Sequence, residues 1–289
     1  PVSHMGKIYN FIRYKTEPED KGRIDFIALR KTALEAKPKM ILCGYSSYPR
    51  DYDYAEFKEI ADEVGALTMA DVSHIGGLIA GGVMRNPCDV GFDFVTTTTH
   101  KSMRGPRGGM ILCKEKFAKE INKSVFPGLQ GGPHMNAIAG VAITLGKAQQ
   151  PAYRKYCAQV MGNAQILAST LIEQGASLIT GGTDNHMMVI DVVKSFGING
   201  RVAEETLDSV SITTNKQIIP DDPNPPLRPS GIRLGTPAAT TRGMQDTEMK
   251  QLADWIVRAL RNHGDQAVLK AIRGEVEEMC TQYPVPGIT

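Results

Sequence analysis

Four short apolar runs, separated by helical patterns and turn residues, constrain this chain more than any other feature. Residues 40–45 (MILCGY) read as a buried strand. A helix follows at Tyr54–Val64, with Asp53 placed to cap it, Glu56 three residues on and Gly65 to end it. Residues 66–70 (ALTMA) form a second strand that stops at Asp71. A third begins at 92–95 and runs into four threonines, 96–99, and a fourth is 109–114 (GMILCK). Strands this apolar, alternating with helices, predict an α/β fold with a largely parallel sheet covered on both faces.

The second half changes character. Residues 133–150 and Pro151–Glu173 read as two helices broken at Pro151; Val160, Ala164, Leu167 and Leu171 repeat at helical spacing before Gly175. Strands are expected at 177–180, 187–193, 211–214 and 231–236, and a helix at 202–207. Residues 216–229 hold five prolines and must be loop. Leu252, Trp255, Ile256, Ala259 and Leu260 share one helix face, and a last helix covers about 265–280. A boundary near Gln150–Pro151 divides the chain into 1–150 and 151–289, two domains being the usual number for 289 residues.

Composition matters here for what it excludes. Lys+Arg 33 against Asp+Glu 31 leaves +2, which argues against a nucleic-acid or acidic-membrane partner. No apolar run approaches the roughly 20 residues of a membrane helix. Cys43, Cys88, Cys113, Cys157 and Cys280 are odd in number and form no CxxC pair, so no metal site is expected and a reducing, cytoplasmic setting is.

Four segments could carry chemistry. In VTTTTHKSMRGPRGG (95–109) a strand ends in hydroxyls, then His100, Lys101 and a glycine-rich turn. Ligands gather at the carboxyl ends of such strands, and a desolvated lysine there is a candidate Schiff-base amine. The plain alternative is a surface lysine before a hairpin. In TMADVSHIGGLIAGG (68–82) Asp71 ends an apolar strand, where a carboxylate is expensive unless paired, and His74 follows. A buried aspartate beside a lysine strand suits a pyridinium nitrogen; a helix cap and a satisfied core histidine are the alternatives. In SGIRLGTPA (230–238) Arg233 could clamp a carboxylate, or close an internal salt bridge. In FPGLQGGPH (126–134) glycines before a helix expose backbone N–H groups, which is either an anion site or an ordinary helix entry.

Together the segments describe pyridoxal-phosphate chemistry on an amino acid: amine, pyridinium partner, phosphate cradle and carboxylate clamp. VTTTTHKSMRGPRGG, DVSHIGGLIAGG, FPGLQGGPH, GGTDNH and SGIRLGTPA, in this order across the chain, resemble the signature blocks of the serine hydroxymethyltransferase family. The resemblance implies a fold-type I pyridoxal-phosphate transferase, aspartate aminotransferase-like. Residues 1–150 would be its cofactor-binding large domain and 151–289 a smaller α+β domain. It implies interconversion of serine and glycine with transfer of one carbon to tetrahydrofolate, by a homodimer or a tetramer of paired dimers. Lys101 would carry the cofactor, Asp71 would pair with its ring nitrogen, and His74 would lie near its phenolic oxygen. Ser46, in the GYSSYP turn, and Arg107 would also lie at the cofactor. Thr98 and His100 would shape the substrate pocket, and Arg233 would bind the substrate carboxylate. Gly131 and Gly132 would reach the phosphate of the neighbouring subunit's cofactor. Gln217, Pro225, Pro226 and Leu227 would contact folate, although family members commonly have asparagine where Gln217 stands.

The resemblance also implies that PVSHMGKIYN, which opens the chain, matches an internal family segment. The family's preceding portion supplies a phosphate loop, a proton-transferring glutamate, tyrosines and a ring-stacking histidine. The 289-residue stretch by itself is therefore expected to bind cofactor weakly or not at all and to be weakly active or inactive. Two other readings use the same residues. One is another fold-type I enzyme such as a threonine aldolase, which would need no folate. The other is a non-catalytic fragment acting as a scaffold.

Overall fold

The computed structural model describes residues 4–17 and 22–288; residues 1–3 of the PVSHMGKIYN segment lie outside them. The chain is α/β, with two four-stranded sheets. Its first part runs α1 (Phe26–Ala36), β1 (Met40–Cys43), α2 (Tyr54–Val64), β2 (Leu67–Asp71), α3 (Gly76–Ala80), β3 (Phe94–Thr98), β4 (Gly109–Cys113), α4 (Glu115–Lys123) and α5 (Met135–Ala148). Then come α6 (Pro151–Glu173), β5 (Ser177–Leu178), β6 (Met187–Asp191), α7 (Val192–Phe196), α8 (Gly200–Ser209), β7 (Asn215–Gln217), β8 (Gly231–Gly235), α9 (Pro237–Thr241), α10 (Asp246–Arg261) and α11 (Gln266–Gln282).

The first sheet has the order β1-β2-β3-β4. The β1–β2 and β2–β3 pairings are parallel, and β4 returns antiparallel to β3, opposing Thr98 with Gly109. The expectation of two covered faces is corrected. Alternate residues of β1 to β3 are buried: Ile41, Cys43, Ala70 and Val95 join Phe57 and Ile60 of α2 and Leu29 of α1 in one core. Met40 and Leu42, on the other face, are 39% and 40% exposed. Apolar content alone does not reveal which face of a strand is covered, because both faces carry similar residues.

The strand ends are fixed by polar contacts. Asp93, 6% exposed, accepts from the Thr68 N–H and hydroxyl at 3.0 Å each and from Lys114 Nζ at 2.9 Å. These donors hold its carboxyl below the usual range despite burial. The network ties β2 and the residue before β3 to the residue after β4, and so fixes where the threonine strand begins.

The second sheet, β5-β6-β8-β7, is wholly antiparallel. Its core gathers Met188, Ile190, Ile232, Leu207, Ile256 and Leu260 with the last turns of α6. The first turns of α6 pack elsewhere: Tyr153, Cys157 and Val160 surround Leu78 of α3. The strand expected at 211–214 is displaced to Asn215–Gln217. Ser211 adopts φ +63° after α8, and Ile212 bonds back to the Leu207 carbonyl and enters the core. The strand expected at 187–193 stops at Asp191, whose side chain accepts from the Lys194 N–H and caps α7. Among the described residues no helix is long and apolar enough to cross a membrane.

Candidate active site

The site is assembled where β1, β2 and β3 end and β8 approaches them. Gly44 follows β1 with φ +125°, and a Cβ there would stand 2.9 Å from the Asp71 carbonyl carbon and closer still to its oxygen. Only glycine lets the GYSSYP turn pass this close to the end of β2. Asp71 is exposed rather than buried, which corrects the expectation drawn from its apolar strand. The strand's alternation places it on the sheet's open face, where water solvates it. Its Oδ1 accepts from the Ser73 N–H at 2.9 Å; it does not cap α3.

Between β2 and β3 the glycine pair Gly76–Gly77 permits a contact that no local pattern announces. A Cβ on Gly77 would press on the Ser102 carbonyl and lie 2.6 Å from the Met103 nitrogen. The Gly77 N–H donates to Ser102 Oγ at 3.0 Å, and the Tyr153 hydroxyl donates to the Ser102 carbonyl at 3.0 Å. The residue after Lys101 is thereby fixed from two sides. Lys101 itself is half-buried, beside a cavity of about 290 Å³ lined also by Arg104, Tyr156, Pro237, Arg242 and Pro286. Arg104 lies over the Tyr156 ring at 4.3 Å. Among the described residues no carboxylate lines this cavity.

His74 reports how the predicted residues converge. Burial lowers its pKa to about 4, helped by the charges of Lys101 and Arg233 and opposed by Asp71. Three predicted site residues, Lys101, Arg233 and Asp71, therefore lie within electrostatic reach of His74. The His74 ring stacks on His186 of the GGTDNH segment, centroids 6.0 Å apart and planes 13° apart. His186 is 7% exposed, and burial with the neighbouring His74 and Arg233 lowers its pKa to about 3. GGTDNH has a structural task as well: Arg50 binds Asp184 at 2.8 Å, and Asn185 Nδ2 donates to the Tyr48 carbonyl at 2.9 Å. This clasp joins the turn after β1 to the start of β6.

The sign of the histidine shifts gives a prediction. Both folded-state values lie below the ordinary 6.5, so the unfolded chain binds more protons as pH falls from about 6.5 toward 4 and 3. The stabilisation is complete above 6.5 and is lost on acidification through that window. Denaturant unfolding across pH 7 to 4 should show a steeper loss for the native chain than for His186→Asn. Equal slopes would disprove the coupling.

Arg233, on β8, carries the clearest signal. Among the described residues no carboxylate pairs with it, so the internal salt bridge is not what it forms. It donates instead to the Ser46 carbonyl at 2.7 Å, to Ser47 Oγ at 3.4 Å and to Asn215 Oδ1 at 3.3 Å. Burial lowers its pKa, the mark of a cation held in a dry place without an anion.

The remaining predicted residues are placed as follows. Thr98 donates to the Ser73 carbonyl at 3.2 Å, bridging β3 to the turn that carries His74. His100 is half-buried, and its Nδ1 is a buried atom without a partner. Arg107 is exposed in the turn before β4 and forms no ion pair among the described residues. Gly131 and Gly132 are exposed, with open space where a Cβ would stand. Pro225, Pro226 and Leu227 lie exposed on a loop organised by Asp222, which accepts from the N–H groups of Ile219, Asn224 and Ser230. Gln217 has its amide engaged: Oε1 accepts from the Ser47 hydroxyl at 2.7 Å and Nε2 donates to the Ile218 carbonyl at 3.0 Å.

Sequence reasoning missed Gly44, Gly77, Ser47, Asn215 and His186. GGTDNH was a visible signal without a role; the others depend on partners far away in the chain.

The donor set fits pyridoxal phosphate. Among the described residues Asp71 keeps Oδ2 without a partner for a ring N–H, Lys101 is an amine with no ion pair, and Arg233 is a cation lacking an anion. The buried Thr96 hydroxyl, beside Asp71 in the strand register, and His100 Nδ1, two residues past the end of β3, are orphaned polar atoms of the same segment. An amine and a carboxylate at the strand ends of the first sheet, faced by an unneutralised guanidinium on β8 of the second, suit an enzyme that handles a small carboxylate-bearing substrate. The family model described as serine hydroxymethyltransferase matches residues 1–256, and the chain belongs to that family. It is accordingly a pyridoxal-phosphate-dependent enzyme of serine and glycine interconversion in one-carbon metabolism, and nothing favours the aldolase or scaffold readings.

Proposed function

We propose that Lys101, Asp71, His74, Thr98, His100 and Arg233 carry the serine–glycine reaction in this chain, with tetrahydrofolate taking the one-carbon unit. The observation that supports this most directly is Arg233: a half-buried guanidinium within reach of His74 and, among the described residues, without a carboxylate of its own. Two guanidinium N–H groups on Nη2 remain for a substrate carboxylate, a charge-assisted interaction that orients the α-carbon beside Lys101. Lys101 would hold the cofactor, with Asp71 accepting from its ring nitrogen and Ser46, Arg107 and His74 nearby. When bound, the cofactor supplies an electron sink for charge developing at the α-carbon. His74, kept neutral by its surroundings, offers a hydrogen-bonding nitrogen without a further positive charge. His100 Nδ1, orphaned beside Lys101, is positioned to hold or pass a proton at the substrate's side chain.

Gly131 and Gly132 would serve the cofactor phosphate of a neighbouring subunit. The surface beside them supports association: α5 has no buried residue, and Leu129, Met135 and Ile143 are 88%, 65% and 62% exposed. Folate would approach Pro225, Pro226 and Leu227. A homodimer or tetramer, the division at Gln150–Pro151 and a cytoplasmic setting, in keeping with five free cysteines, complete the proposal.

The test is serine consumption by the holoenzyme with and without tetrahydrofolate. Glycine formation should depend on folate. Arg233→Lys should raise the KM for serine by roughly 10- to 100-fold, because an ammonium cannot reproduce the planar fork. An unchanged KM would overturn the assignment of Arg233.

A further inference from the structure

Resting on the serine–glycine reading, we propose that Ser47 and Gln217 are positioning residues for Arg233, forming a hydrogen-bonded relay that aims its guanidinium at the substrate carboxylate.

The geometry starts from the strand register. Asn215 and Gln217 are two residues apart on β7, so both side chains leave the same face of the sheet. Asn215 opposes Arg233 and Gln217 opposes Gly231. Gly231 is needed for this approach: a Cβ there would stand 2.8 Å from the Gln217 carbonyl oxygen and 2.7 Å from Ile219. From that position Gln217 Oε1 reaches the Ser47 hydroxyl at 2.7 Å, while its Nε2 donates to the Ile218 carbonyl. The second bond fixes which end of the amide faces Ser47.

The relay follows from counting donors. Ser47 has one hydroxyl proton, and Gln217 accepts it. The serine lone pairs are then left toward Arg233 Nη1, 3.4 Å away. The same Nη1 donates to the Ser46 carbonyl and Nε donates to Asn215. Three of five guanidinium hydrogens are therefore tied to neutral acceptors, and the two on Nη2 remain. No acceptor in the set carries charge, so the arginine is oriented but not neutralised. Asparagine at 217 would be shorter by one methylene, about 1.5 Å. Its amide would not reach Ser47 from the same strand position, so glutamine suits a clamp braced by serine.

The competing role for Gln217 is contact with the folate co-substrate, and one experiment separates the two. In the holoenzyme, Ser47→Ala, Gln217→Ala and Gln217→Asn should each weaken glycine binding, measured by equilibrium titration, by roughly 3- to 10-fold, the effect of one neutral hydrogen bond. The KM for serine should rise in parallel, with kcat within about twofold and the KM for tetrahydrofolate unchanged. Binding of glycinamide, which lacks the carboxylate, should not respond. The double variant Ser47→Ala/Gln217→Ala should be no weaker than Ser47→Ala alone. The proposal is overturned if Gln217→Ala leaves glycine affinity intact, if it raises the folate KM instead, or if glycinamide binding falls equally. A native holoenzyme that binds no glycine would remove the underlying reading as well; native binding with unresponsive variants removes only the relay.

Discussion

Lys101→Ala in the holoenzyme should lower serine-to-glycine turnover by about 10³-fold or more, the scale of losing a positioned amine that acts in both bonding and proton transfer. No neighbouring side chain can replace it. Arg104 and Arg242 line the same cavity, but guanidinium groups stay protonated and are not nucleophiles. The fixed Ser102 carbonyl and Ser102 hydroxyl hold the loop whichever residue stands at 101, so the variant should fold. Peptide mass mapping after borohydride reduction should place the cofactor on Lys101 in the native enzyme and nowhere in the variant. Undiminished multiple turnover by Lys101→Ala would remove Lys101 from the mechanism.

Gly77→Ala should damage stability and activity together. The added methyl meets backbone, the Ser102 carbonyl and the Met103 nitrogen, and backbone cannot swing aside as a flexible side chain can. Overpacking of this kind costs about 1–3 kcal/mol. For a chain of this size that corresponds to a fall of roughly 2–5 °C in the thermal midpoint. The loop that yields is the one carrying Lys101, so turnover should drop further than stability explains; a displacement near 1 Å can cost about 10²-fold. Gly274→Ala is the control: it lies within α11 with open space at the Cβ position, and should leave the midpoint unchanged or slightly raised. A Gly77→Ala protein as stable and active as the native one would show that the glycine pair is incidental.

Much of this site was legible because its signals are local. Asp53 and Gly65 bound α2 as the capping pattern requires, and Pro151 opens α6. TTTTHK announced a strand ending in a lysine, and β3 with its following turn is that element. The Arg233 strand was visible as an arginine between glycines among apolar residues. What could not be read is non-local. Gly77 touches Ser102, 25 positions on, and Ser47 touches Gln217, 170 positions on. The short helix α3 is hidden in a glycine-rich stretch whose composition disfavours helix, since packing rather than propensity stabilises it. Asp71 was expected to be buried because its strand is apolar, but exposure depends on which face the pleat turns outward.

Helix α6 has a consequence for how the molecule comes apart. Its opening turns lock onto Leu78 and, through Tyr153, onto the peptide after Lys101; its closing turns fill the other core. A rod embedded in both bodies makes them one cooperative unit. The lysine loop cannot melt while α6 stays docked, and α6 cannot leave without exposing the second core. Amides of Arg104 and Gly105, which donate to the Lys101 and Thr99 carbonyls, should therefore exchange with solvent only as slowly as those in the middle of α6, giving the catalytic loop the protection of the globular core and not that of a surface turn.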